Sequence, residues 1–172
     1  MAYDFDFVDE QLSAALAESI NVQDGMQRLL AVCAGSTPSP AWQGLTALDF
    51  AQDRQVYLNW LRTLLTNEPP DDTIKAFLFG LMTADINYRE TWLIYLVGAD
   101  EYDPNDDTGD WACDPVYSPD GRYITSPAVM AMHDALADAD ADAAWLGEML
   151  LFQGYAALLL RDICPAVGAP LF

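Results

Sequence analysis

Between Asp100 and Asp114 stand seven carboxylates, Asp100, Glu101, Asp103, Asp106, Asp107, Asp110 and Asp114, with no basic residue among them. Oxygen ligands at Asp103, Asn105 and Asp107 alternate as they do in an EF-type calcium loop, and Asp114 falls at the twelfth place. Two features weaken the calcium reading. Gly109 occupies the seventh position where that loop turns on a glycine at the sixth, and the apolar run before Asp100 reads as a strand where the calcium loop needs a helix. A solvated or partner-facing acidic loop is the expected reading, with no metal bound.

Other chemistry is poorly supplied. His133 is the only histidine, so a serine or cysteine nucleophile would depend on it as base, yet it falls mid-helix and no Gly-x-Ser-x-Gly elbow accompanies it. The three cysteines, Cys33, Cys113 and Cys164, are too widely spaced for a zinc-type pair. Phosphate-cradling glycine motifs are absent and Lys75 is the only lysine, which argues against phosphoryl transfer. Carboxylate pairs abound, but nothing singles one out for acid–base work. The chain is therefore expected not to be an enzyme and to carry no cofactor; an enzyme or metal-binding protein using the acidic loop is the second alternative.

What the loop offers is charge around aromatic anchors. Tyr102, Trp111 and Tyr117 lie among the carboxylates, and a surface of Asp100, Glu101, Tyr102, Asp103, Asp106, Asp107, Asp110 and Trp111 would combine electrostatic steering with a few buried contacts. The competing role for Trp111 is to fold inward and hold the loop down, and that role is preferred. The whole chain shares the bias: 27 acidic residues against 7 basic ones give a formal charge of -20. Such a field repels nucleic acid and anionic lipid and attracts cationic proteins. A high-salt host would explain the same acidity as a device for solubility.

These residues need a scaffold, and 172 residues with 52% hydrophobic content are enough for one domain with one core. From Val8 to about Ala34 apolar residues recur at three-to-four spacing, which predicts two helices or one helix broken at Asp24-Gly25, capped near Asp6 or Asp9 and stopped at Gly35. Gly35 to Pro40 is a loop by composition, and a helix capped by Asp49 is expected to run to about Leu65. The runs Ile74–Met82 and Thr91–Val97 predict two buried antiparallel strands joined through a polar loop, Thr83 to Glu90, with a helix over Ile74–Met82 as the alternative. Arg122 to Thr125 would add an edge strand, and Ser126-Pro127 opens a helix to about Ala137.

The last helix, from about Ala143 to Ile163, is apolar around most of its circumference. Glu148, Gln153 and Arg161 interrupt it, so a central packed helix is expected over a membrane span. The N-terminal residues have neither the basic region nor the apolar stretch of a secretion signal, and with free thiols this leads to a cytoplasmic location.

The segments Ile74–Leu81, Trp92–Gly98, Tyr102-Asp103 and Asp110-Trp-Ala-Cys113 together resemble small acidic bacterial proteins of the toxin-immunity and uncharacterised type, over about Ile74 to Tyr123. The resemblance implies a protein that neutralises a toxin by binding it, a basic nuclease-type toxin suiting the acidic surface, with no catalytic residues to transfer. A nucleic-acid mimic that occupies the site of a DNA-binding protein is the alternative. The fold class expected is α+β: a single domain with a small antiparallel sheet, packed by the Phe50 to Leu65 helix and a long C-terminal helix.

Overall fold

The computed structural model describes residues 4–106 and 110–167. The fold is α+β, with helices, a three-stranded antiparallel sheet and a long helix at the C-terminal end. The chain gathers into two compact units, one of residues 1–54 and 127–162, the other of residues 55–126 and 163–172.

The first unit is helical. Helix α1 (Phe5–Glu18) opens on Asp4, whose carboxylate accepts the Phe7 N–H at 3.0 Å. Helix α2 (Val22–Ser36) opens on Asn21, which accepts the Asp24 N–H at 2.9 Å, while Asp24 accepts the Ile20 N–H at 3.0 Å. This reciprocal capping sets the break between the helices at Ser19–Asn21, five residues before the Asp24-Gly25 break the sequence suggests. Gly25 lies inside α2, where a Cβ would come within 2.5 Å of a Leu158 methyl; its absence is what lets the two helices close. Gly35 also falls within α2, so the loop starts later than its composition implies, and a short helix α3 (Ala41–Leu45) follows it. Trp42 anchors α3 by donating its indole N–H to the Thr37 carbonyl at 2.7 Å.

The expected Asp49 cap is displaced. Asp49 turns the chain by accepting the Ala51 N–H at 2.9 Å, and helix α4 (Arg54–Asn67) begins only at Arg54. Phe50 stays in the helical unit against Tyr155, ring centroids 6.2 Å apart. Helix α5 (Pro127–Leu136) opens on proline as its sequence requires, and its Ala128 N–H is taken by Asp53, a buried carboxylate far back in the chain that also accepts the Tyr155 hydroxyl at 2.9 Å.

Helix α6 (Ala141–Ala166) is the centre of this unit as far as Asp162. A π turn over Gly147–Phe152 interrupts it, and α1, α2 and α5 all pack against that turn. Leu150, Leu151 and Phe152 are successive and all fully buried, which requires cover around more than half of the helix. Gly147 and Gly154 supply close approaches, the first under Leu136 and the second under Leu29 and Leu12. By length and composition α6 would reach across a membrane, but 56% of its apolar window is buried within the protein.

The second unit carries the sheet, with β1 (Ala76–Ile86), β2 (Arg89–Ala99) and β3 (Tyr123–Thr125) in the order β1-β2-β3. The hairpin is longer than its apolar runs. Thr83 to Glu90, read as a loop from its polarity, pairs almost throughout: Thr83 faces Trp92 and Ile86 faces Arg89. Only Asn87 and Tyr88 turn the chain, both at positive φ (54° and 62°), the two-residue geometry whose twist matches the flanking strands. The polar residues extend the strands past the core. Burial corrects a second expectation, for β2 is central and mostly buried while β1 is half-buried along its apolar part, with Met82 37% exposed.

Candidate functional site

The acidic loop leaves β2 at Ala99 and returns beside it. Gly98 and Tyr117 exchange backbone hydrogen bonds at 2.9 and 3.0 Å, which closes residues 100–115 into a loop with a narrow neck. The neck needs glycine, since a Cβ on Gly98 would lie 2.9 Å from an Ile74 methyl and 3.2 Å from the Tyr117 Cβ. The Tyr117 ring stands edge-on to Phe77 at 6.0 Å, and its hydroxyl donates to the Glu68 carbonyl at 2.6 Å. Burial, and then the nearby Glu68 carboxylate, raise the Tyr117 phenol above its ordinary range. Tyr117, one of the three candidate contact aromatics, is thus committed to holding the loop in place.

Glu68 continues the attachment. Its two carboxylate oxygens accept the N–H groups of Asp120 and Gly121 at 2.7 and 3.0 Å, and Trp60 donates its indole N–H to the Gly121 carbonyl at 2.9 Å. The end of α4 therefore carries the segment that brings the chain from the neck into β3. Sequence reasoning missed Glu68, Trp60 and Phe77; the one legible signal was the Asp120-Gly121 turn, whose donors had to go somewhere.

Within the loop the side chains hold the backbone. Asp103 accepts the Asn105 N–H at 2.9 Å, and its carbonyl accepts the Asp106 N–H at 3.2 Å. The Asp106 carboxylate accepts the Asp110 N–H at 2.9 Å and so begins a short 3₁₀ turn, Asp110–Ala112, which packs against β2. Tyr102 and Trp111 meet edge to face, 5.1 Å between centroids, and join the two arms of the loop. Trp111 is half-buried, turned onto Tyr102, itself 45% exposed.

Of the residues singled out from sequence, Asp100, Glu101, Tyr102, Asp103 and Asp110 are exposed, while Asp106 and Trp111 are half-buried. Asp107 lies outside the described residues, as does Gly109, so the calcium arrangement is described only in part; Asp103 directs its carboxylate to Asn105. Asp114 is exposed. Among the described residues no three His, Cys, Asp or Glu side chains converge as a metal-binding group.

The cysteines and the histidine differ in exposure. Cys33 is buried in the helical unit and Cys164 in the sheet unit, and burial pushes each thiol up to about 12. Cys113 is exposed at the end of the acidic loop, and His133 is half-buried in the last turn of α5. A shallow cleft between α1 and α2 is lined by Gln11, Ala14, Arg28, Leu29 and Val32, without a nucleophile or a base, and its Arg28 is paired with Glu18.

Comparison with protein-family models, with curated proteins and with solved structures finds no match to this chain.

Proposed function

We propose that the chain is a non-catalytic protein-binding module that sets its acidic loop against a basic surface of another protein, acting as an immunity protein does toward a basic, nuclease-type toxin in the bacterial cytoplasm. One observation carries the reading: the loop is held by its own aromatic pair and backbone bonds, leaving Asp100, Glu101, Asp103 and Asp110 exposed with no cation beside them in sequence. Carboxylates fixed in place before binding lose little freedom when a partner arrives, and their field raises the rate of encounter with a cationic surface.

The test has two stages. Co-expression with the products of adjacent open reading frames, one at a time, is expected to rescue growth from one that is toxic alone; rescue from none sets the immunity reading aside. With that toxin, Asp103→Lys combined with Asp110→Lys should slow association about tenfold at low salt and flatten its salt dependence while leaving the folded spectrum intact. Unchanged association kinetics would remove the loop from the interface.

A further inference from the structure

An aspartate followed by glycine can cyclise, because glycine has no side chain to shield its nitrogen from the neighbouring carboxyl carbon. The chain contains two such pairs, Asp24-Gly25 and Asp120-Gly121. Ring closure needs rotation about the aspartate Cα–C bond until the following nitrogen comes over Cβ, a value of ψ that neither helix nor strand adopts. What holds each aspartate's backbone therefore decides whether it reacts.

Asp24 is held on every side. It lies inside α2, its N–H bonds to the Asn21 side chain at 2.9 Å, the Gly25 N–H bonds to the Asn21 carbonyl at 3.0 Å, and its carboxylate is turned back to the Ile20 N–H at 3.0 Å. Asp120 is exposed, in a turn that the Arg122 N–H closes onto the Pro119 carbonyl at 3.2 Å. Among the described residues no hydrogen bond or ion pair engages its carboxylate, the group that would be attacked. Its backbone restraint comes from Glu68, which takes the Asp120 N–H through Oε2 at 2.7 Å and the Gly121 N–H through Oε1 at 3.0 Å. These two nitrogens are the ends of the torsion ψ at Asp120. A single carboxylate bonded to both locks the rotation that ring closure requires.

We propose that Asp120 is the site at which this chain isomerises spontaneously to isoaspartate, and that the Glu68 carboxylate is the clamp that restrains it. The Gly121 nitrogen bonds to Cγ of the protonated Asp120 carboxyl; the nitrogen gives up its proton, the carboxyl gives up its hydroxyl, and one water leaves as a cyclic imide forms. Water then adds at the Asp120 main-chain carbonyl carbon and breaks its bond to the Gly121 nitrogen. The chain now continues through Cγ, and the former main-chain carbonyl is a free carboxylate. Nothing is oxidised or reduced, and the final mass is unchanged. The rerouted backbone is one carbon longer between the Asp120 and Gly121 N–H groups, so they no longer fit one carboxylate. The segment that runs from the loop neck into β3 then loses its attachment to Glu68.

Peptide mapping with electron-transfer fragmentation, which tells β-linked from α-linked aspartate, reads both sites after the folded full chain has stood at neutral pH and physiological temperature. Isoaspartate is expected to accumulate slowly at Asp120 and not at Asp24. Glu68→Ala should raise the rate at Asp120 about tenfold or more, as loss of charge-assisted bonds implies, with Asp24 still silent as an internal sign that the fold is intact. Glu68→Gln keeps one acceptor and should give a rate between the two. In urea both sites should react alike, since the difference belongs to the fold. No isoaspartate at Asp120 in the Glu68→Ala chain, a rate at Asp120 indifferent to both Glu68 variants, a folded chain that isomerises Asp24 as fast as Asp120, or a preference for Asp120 that persists in urea would each overturn the proposal.

Discussion

Trp111 stands edge-on to Tyr102, with centroids 5.1 Å apart and ring planes at 86°. An aromatic pair in this arrangement adds about 0.5–1.5 kcal/mol beyond the area it covers. Because Trp111 is half-buried against a partly exposed ring, that energy shapes the loop and contributes little to the core. Trp111→Ala is therefore expected to shift the thermal midpoint by no more than about 6 °C, in line with loss of a surface pair. It should also speed hydrogen exchange at the Cys113 N–H, which closes the 3₁₀ turn by donating to the Asp110 carbonyl at 3.0 Å. A large fall in melting temperature with exchange unchanged would place Trp111 in the core.

Asp53 is 2% exposed and accepts both the Tyr155 hydroxyl at 2.9 Å and the Ala128 N–H at 3.2 Å. Removing it strands buried donors on two helices, whereas removing the Tyr155 hydroxyl strands only part of one acceptor. Asp53→Ala is expected to cost about 3 kcal/mol in urea unfolding and Tyr155→Phe about 1 kcal/mol. A double variant should lose less than the sum, since the two changes remove one shared bond. Strict additivity would show that the bond contributes nothing.

Two glycines separate packing from propensity. A Cβ on Gly154 would lie 2.2 Å from a methyl of the buried Leu29, so Gly154→Ala should overpack the helical unit and cost about 1–3 kcal/mol. Gly35, in α2, meets nothing within 4 Å. Gly35→Ala should stabilise by about 0.4–1 kcal/mol through loss of backbone freedom in the unfolded chain. Denaturant midpoints moving in opposite directions would confirm the distinction; equal shifts would refute it.

The apolar runs made the strands and the central helix legible, because periodicity records what must be buried. Polarity concealed the hairpin ends: Thr83, Asp85 and Glu90 pair through their backbones outside the core, and Asn87-Tyr88 turns without the glycine that usually marks such a turn. The exposed carboxylates of the loop could be named in advance, but its supports could not. With 27 acidic residues in the chain, only the fold selects Glu68 to hold Asp120 and Gly121, or Asp53 to cap α5. Tyr117 misled for a related reason, since an aromatic beside charges reads the same whether it faces a partner or anchors a neck.

The thiols give a prediction that depends on pH. Burial pushes Cys33 and Cys164 up to about 12 from an ordinary 9.0, so the folded protein holds these protons more tightly than the unfolded chain does. Their contribution to stability is fully present below about pH 9 and is lost as pH rises through about 12. Tyr117, raised from 10.0, acts in the same direction over the upper part of that window. Urea midpoints should therefore fall steadily above about pH 9, and Cys33→Ala should flatten the fall while lowering stability at neutral pH by the cavity it leaves. At pH 8 a disulfide-exchange reagent should modify only Cys113 in the folded chain, and all three thiols once urea unfolds it. Rapid modification of Cys33 or Cys164 without unfolding would contradict their burial.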